Sequence, residues 1–194
     1  MKTSNTFTKH YIRNFDKKVK QFNHSRQLPD HLGELIGGKK KVRIAEVASA
    51  LVNTIGDTWP NTDVEVVCSD RYGREFMQIW KDNGVEPLHP IYTQNMHSLT
   101  YRTNSFDIVH CRNALDHTLF PKKAIKELQR VSRGYVYLEH APFQRKTYGG
   151  HHYWDVLLDE FGMTVFRGKK EEFILHDFKS HINKDGHIVS IWRK

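Results

Sequence analysis

The stretch from Asn104 to His117, NSFDIVHCRNALDH, constrains the fold more tightly than any other part of the chain. A polar lead-in is followed by a short apolar run, Phe106, Ile108 and Val109, which reads as a buried strand and ends in a cluster of polar groups. In an open α/β sheet, ligands bind in the crevice beyond the carboxyl ends of the strands. A segment that is apolar along its length and polar at its tip therefore predicts such a sheet, with a site at the strand ends.

The rest of the chain supplies the alternation that such a sheet needs. VRIAEV (42–47) and DVEVVCSD (63–70) are β-branched runs bounded by Gly56, Pro60 and Asn61, and they predict buried parallel strands with a short helix between them. Phe76, Ile79 and Trp80 share one face of a helix over 72–82, and a weak strand follows at 90–93. Pro121 suits the first turn of a helix whose Ala124, Ile125, Leu128 and Val131 form an apolar stripe opposite Lys and Arg. GYVYLEH (134–140) reads as the fifth strand. From 163 onward MTVFR, a turn at Gly168, EEFIL and the terminal HIVSIW lie too close together for crossover helices, so they predict antiparallel pairing.

The expected fold is a single-domain, doubly wound, mostly parallel α/β sheet with antiparallel C-terminal edge strands. Ahead of it, residues 1–10 read as frayed, and Tyr11, Ile12, Phe15, Val19 and Phe22 recur at helical spacing between Lys17, Lys18 and Lys20. A second helical piece opens at Pro29 and Asp30 and stops at Gly37 and Gly38. The division expected is a helical extension over 1–38 and one domain over 39–194.

Composition narrows the partners and the compartment. Thirty Lys and Arg against 22 Asp and Glu leave a formal charge of +8, gathered in short runs such as Lys39 to Lys41 with Arg43, Lys122, Lys123 and Lys126, and Lys169 and Lys170. Such a surface favours anionic partners, nucleic acid among them, although a solvated basic face is the simpler reading and no RNA-binding signature accompanies it. Cys68 and Cys111 end apolar runs and read as reduced, buried thiols, which excludes a disulfide framework. No run nears the roughly 18 apolar residues of a membrane span, and MKTSNTFTKH lacks the apolar core of a signal peptide. A cytoplasmic protein is expected. His151 and His152 follow Gly149 and Gly150, but no second ligand pair stands at a zinc-like spacing, so no metal is expected.

EVASAL after the first strand, Asp70 closing the second, NMHSL before the fourth, and a helix leading into RVSRGYVYLEH together resemble the class I S-adenosylmethionine-dependent methyltransferases, in particular the type 11 methyltransferase-domain group. The likeness covers about residues 40 to 178. A narrower one is to a subgroup carrying Gly-x-His-x-Trp after the fifth strand, here Gly150, His152 and Trp154. A nucleoside lying across strand ends needs a tight first turn, an acid for the ribose hydroxyls and a polar group at the adenine edge. The resemblance implies S-adenosylmethionine as cofactor. It places Glu46 at the methionine end, Ala48, Ser49 and Ala50 in the first turn, Asp70 with Arg71 at the ribose, Asn95 with Met96 at the adenine, and Cys111, Arg112 and Asn113 along the methionine portion. His151, His152 and Trp154 would line the substrate, with His117 or His152 as the base where the acceptor must lose a proton.

One departure matters. The first turn of the family is rich in glycine, which tolerates left-handed backbone angles, whereas this chain carries Ala48-Ser49-Ala50. At positive φ each alanine costs roughly 1 to 2 kcal/mol, so a turn that still binds cofactor is expected to hold both at negative φ with the methyl groups turned away. The leading function is an S-adenosylmethionine-dependent methyltransferase with a small-molecule acceptor. The alternative is a non-catalytic scaffold of the same fold that engages nucleic acid or an acidic partner. A nucleic-acid methyltransferase is weaker, because neither an Asn/Asp-Pro-Pro-aromatic motif nor a Pro-Cys pair is present. The acceptor and the oligomeric state are not legible.

Overall fold

The computed structural model describes residues 13–22, 26–141 and 152–194. The expectations for residues 1–12 and for Gly149, Gly150 and His151 lie outside the described residues. The chain forms two compact units, residues 1–100 and 101–194.

The first unit holds α1 (Phe15–Phe22), α2 (Asp30–Ile36), β1 (Lys41–Val47), β2 (Thr58–Trp59), β3 (Thr62–Asp70), α3 (Gly73–Asp82) and β4 (Ile91–Thr93). β1 and β3 run parallel with Val47 opposite Ser69, and β4 runs parallel to β3 with Thr93 opposite Asp70. The α2 helix stops at Gly37, whose φ of +61° is the left-handed cap that glycine adopts without a Cβ clash. Phe76, Ile79 and Trp80 turn one face of α3 into a core shared with Leu51, Val52, Cys68, Ile91 and Phe15. Phe15 meets Trp80 edge to face at 5.1 Å between ring centroids, so α1 is packed into this core.

The short helix expected between the first two long strands does not form. After Val47 the chain turns at 48–50, passes Leu51, Val52 and Ile55 without regular structure, and enters β2, which pairs antiparallel with β3 across Pro60 and Asn61. Side chains take up two of the segment's backbone groups and anchor it elsewhere. Thr54 donates its N–H to Glu46 at 3.0 Å, Asn53 Oδ1 accepts the His89 N–H at 2.9 Å, and the Trp80 indole donates to the Leu51 carbonyl at 2.7 Å. Val52, Thr54 and Ile55 are β-branched and Gly56 follows, so local preference opposes a helix as well. Leu51, Val52 and Ile55 are buried all the same.

The second unit holds β5 (Phe106–Arg112), a 3-10 turn (Leu115–His117), α4 (Pro121–Val131), β6 (Ser132–His140), β7 (Asp155–Leu158), β8 (Thr164–Arg167), β9 (Glu172–Ile174), β10 (Lys179–Ile182) and β11 (Ile188–Arg193). β5 and β6 are parallel, β11 joins β6 antiparallel, and β10 joins β11 antiparallel. Pro121 opens α4, and Ala124, Ile125, Leu128 and Val131 are buried as the stripe required. β6 starts directly after α4. At Gly134 a Cβ would lie 2.5 Å from the Asp107 carbonyl oxygen, so only glycine admits the close approach of β6 to β5.

The mixed α/β architecture with a mostly parallel sheet and antiparallel C-terminal strands is the one the sequence predicts. One placement differs. β8 and β9 do not extend the sheet edge but form a separate antiparallel sheet with β7, and the edge beyond β6 is made by β11 and β10. Phe166 and Phe173 stack at 4.9 Å, and Trp154 meets Phe173 edge to face at 5.5 Å. That aromatic group gives the small sheet its own apolar face. β7 and β10 escape sequence reading because DVLL and KSHI are short and carry little alternation.

Candidate functional site

In the first unit the expected cofactor residues gather where β1 and β3 end. The Asp70 carboxylate accepts the Tyr72 N–H at 2.8 Å with one oxygen and the Ala50 N–H at 3.1 Å with the other. Ser49 donates its N–H to the Ser69 carbonyl at 3.1 Å. The turn is thus fastened to the tip of β3 at two points. Ala48 and Ala50 have φ of 61° and 57°. This corrects the expectation of negative φ: the turn keeps a left-handed backbone of the kind glycine adopts freely, but builds it from alanine. Burial raises the pKa of Asp70 above the usual aspartate value, opposed by the two backbone donors.

The hydroxyls of Ser49 and Ser69 are buried without a hydrogen-bond partner. A nearly buried carboxylate, two orphaned hydroxyls and a backbone shaped for close approach fit a nucleoside carrying a diol. Other expected residues are already engaged. One Glu46 oxygen accepts from the backbone and hydroxyl of Thr54, and the other accepts from the Cys68 thiol at 3.3 Å. Burial, and next the Glu46 charge, push that thiol well above its ordinary pKa, so it stays protonated as the donor. Asn95 accepts the His97 N–H at 3.0 Å in an Asx turn and is exposed beside half-buried Met96. Arg71 is exposed, its guanidinium 5.8 Å from the Tyr72 ring centre.

In the second unit the polar groups collect where β5 and β6 end. Cys111 is buried in β5. Arg112 pairs with Glu139 at 3.2 Å, and Glu139 also meets His187 Nδ1 at 2.5 Å. Asn113, at φ 48°, donates its N–H to the Glu139 carbonyl at 2.8 Å and accepts the Ala141 N–H at 2.7 Å. These contacts hold the two strand ends together.

Beyond them, residues 116–118 and 152–154 are stapled side by side. His152 Nδ1 contacts the Asp116 carboxylate, Tyr153 donates its N–H to the Asp116 carbonyl at 2.7 Å, and the Trp154 indole donates to the Thr118 carbonyl at 2.8 Å. The His117 ring lies 4.0 Å from the His152 ring, centre to centre, and its Nε2 is 3.8 Å from the same carboxylate oxygen. Both histidines are partly exposed, while Asp116 is buried. Trp154 corrects the expectation of a substrate wall: it is 4% exposed, its N–H is used, and it sits in the core.

Sequence reasoning missed Asp116 and His140. Asp116 stands in the polar cluster after the apolar run, which is signal enough to suspect it, but its approach to a histidine 36 positions away has no linear trace. His140 ends β6 with both ring nitrogens buried and unpartnered, and burial lowers its pKa to about 4.

Comparison with known proteins agrees with the fold. Solved structures sharing the fold include a SAM-dependent methyltransferase from Aquifex aeolicus, at 13% identity and TM-score 0.52 over 98% of this chain and 99% of that one. Another is an S-adenosylmethionine-dependent methyltransferase from Clostridium acetobutylicum, at 10% identity and TM-score 0.52 over 94% of this chain and 97% of that one. Residues 58–138 match the family model described as a methyltransferase domain, of type 11. The match begins after the Ala48-Ser49-Ala50 turn. No curated protein matches the sequence significantly.

Proposed function

We propose that the protein is an S-adenosylmethionine-dependent methyltransferase acting on a small molecule. The observation that carries this reading is the 48–50 turn. Two strained alanines flanking one serine persist only where the surroundings over-determine them, and strain of this kind concentrates at ligand sites. Asp70, with the turn amides around it, is the group for the ribose diol, and the Asn95–Met96 segment serves the adenine. Cys111, Arg112 and Asn113 retain their assignment to the methionine portion by resemblance. The sulfonium is already a strong electrophile, so the protein chiefly aligns donor and acceptor. His117 and His152, gathered on Asp116, are the groups that activate the acceptor. We place the protein in the cytoplasm, in keeping with two buried free thiols and with no helix among the described residues long and apolar enough to cross a membrane. The division into a 1–38 extension and a 39–194 domain belongs to the same proposal.

A second reading, a non-catalytic scaffold with a basic surface for nucleic acid, draws on Glu46, whose oxygens are occupied by Thr54 and Cys68. Calorimetric titration with S-adenosylmethionine and S-adenosylhomocysteine separates the two. Micromolar binding supports the enzyme, and no binding overturns it in favour of the scaffold.

A further inference from the structure

We propose that Asp116, His117 and His152 form a site for one divalent transition-metal ion of the zinc class, and that this ion is the means by which the acceptor is held and activated. Each residue offers one ligand atom, and the three atoms lie within 4.8 Å of one another. Two imidazoles and one carboxylate are a three-ligand set that leaves a coordination position open, the arrangement of reactive rather than purely structural sites. Imidazole donors select zinc, cobalt, manganese or iron(II) over magnesium and calcium, which prefer all-oxygen shells.

Independent observations point to a ligand here. Asp116 is 6% exposed, and its Oδ1 is buried without a hydrogen-bond partner. A buried carboxylate oxygen left unpaired is costly, and a cation bound at the carboxylate removes that cost. The two rings stand 4.0 Å apart, centre to centre, which brings two imidazoles, the commonest protein ligands of such ions, to one place. Ligands of a tetrahedral ion with bonds of about 2.0 to 2.1 Å lie roughly 3.3 Å apart. His117 Nε2 and Asp116 Oδ2 are 3.8 Å apart and close by about half an ångström on binding, while His152 Nδ1, which touches the same carboxylate oxygen, parts from it to admit the ion; both are side-chain rotations. The staple between Tyr153 and Asp116 and that between Trp154 and Thr118 keep both ligand segments in place before any ion arrives. Partial exposure of both histidines leaves the open position facing outward, where an acceptor oxygen or nitrogen can reach it.

The proposal rests on the acceptor-side reading of His117 and His152, and its test is run without S-adenosylmethionine so that the two fail separately. The full chain is stripped with a chelator, freed of it, and titrated with Co2+ by visible spectroscopy and with Zn2+ by calorimetry. One equivalent should bind with at least micromolar affinity, and Asp116→Asn, His117→Gln and His152→Gln should each weaken Zn2+ binding by about tenfold or more. Should a variant fail to fold, the wild type decides alone: Co2+ should give paramagnetically shifted ring N–H signals from two histidines. No uptake at micromolar Co2+, no such signals, or undiminished binding in all three variants overturns the site. Cofactor affinity measured in chelator then reports separately on the methyltransferase reading.

Discussion

The backbone N–H of Ala50 donates to the carboxylate of Asp70 across 3.1 Å, joining the turn that leaves β1 to the tip of β3. The same carboxylate accepts the N–H of Tyr72, the residue just before α3, in an Asx turn. Asp70 therefore shapes both the turn and the chain that leads into α3. Its removal is felt in both places.

Replacing Ala48 or Ala50 by glycine sets two effects against each other. Relief of left-handed strain returns roughly 1 to 2 kcal/mol, while the freer unfolded chain takes back about 0.4 to 1 kcal/mol. Strain wins. Each single change should raise stability by up to about 1.5 kcal/mol, seen as a higher midpoint in urea, with cofactor affinity kept or improved. A lower midpoint for both variants contradicts the positive φ angles.

Asp70→Asn should weaken S-adenosylmethionine binding by about 1.5 to 3 kcal/mol, the scale for losing hydrogen bonds to a charged group. The pH dependence has a definite sign. Burial raises the folded pKa of Asp70 above 3.8, so its contribution to stability is fully present below that value and is lost as pH rises through the folded value. Diol binding needs the ionised form, so affinity should fall as pH drops through the raised value, sooner than with an ordinary aspartate. Calorimetry from pH 7 downward checks it, and Asp70→Asn should flatten the curve.

If the imidazole serves the acceptor as proposed, His152→Ala should lower turnover far more than cofactor affinity. Equal loss of both would move His152 to the cofactor side. Turnover on an identified acceptor, set beside calorimetric affinity, makes the distinction.

Trp154 should behave as a core residue. Trp154→Phe keeps most of the packing and loses the indole bond to the Thr118 carbonyl, a cost of about 1 kcal/mol, whereas Trp154→Ala should cost about 3 to 5 kcal/mol. Thermal melts report both, and turnover in Trp154→Phe should stay near that of the wild type. A large fall in turnover with unchanged stability would return Trp154 to the substrate wall.

Much of the fold is legible because burial imposes a period. The stripe Ala124, Ile125, Leu128 and Val131 and the face Phe76, Ile79 and Trp80 are visible as spacing alone. The missing helix after β1 is not, because the Leu51 carbonyl is taken by the Trp80 indole and Asn53 is tied to the His89 N–H, from positions that no local window joins. The site divides in the same way. Asp70 announces itself by closing a β-branched run, while Asp116 acquires meaning only when a distant histidine arrives beside it.

Phe15 against Trp80 has a consequence for how the chain can be cut. A boundary at residue 38 looks clean in the sequence, since it follows two glycines and precedes the first long strand. Trimming there would strip an aromatic ring from the face of Trp80, whose indole N–H holds the Leu51 carbonyl just beyond the alanine turn. Phe15 thus belongs to the core that backs residues 51 and 52. A shortened protein would loosen first around residues 48–52, with the affinity of that turn declining before the rest of the sheet gave way.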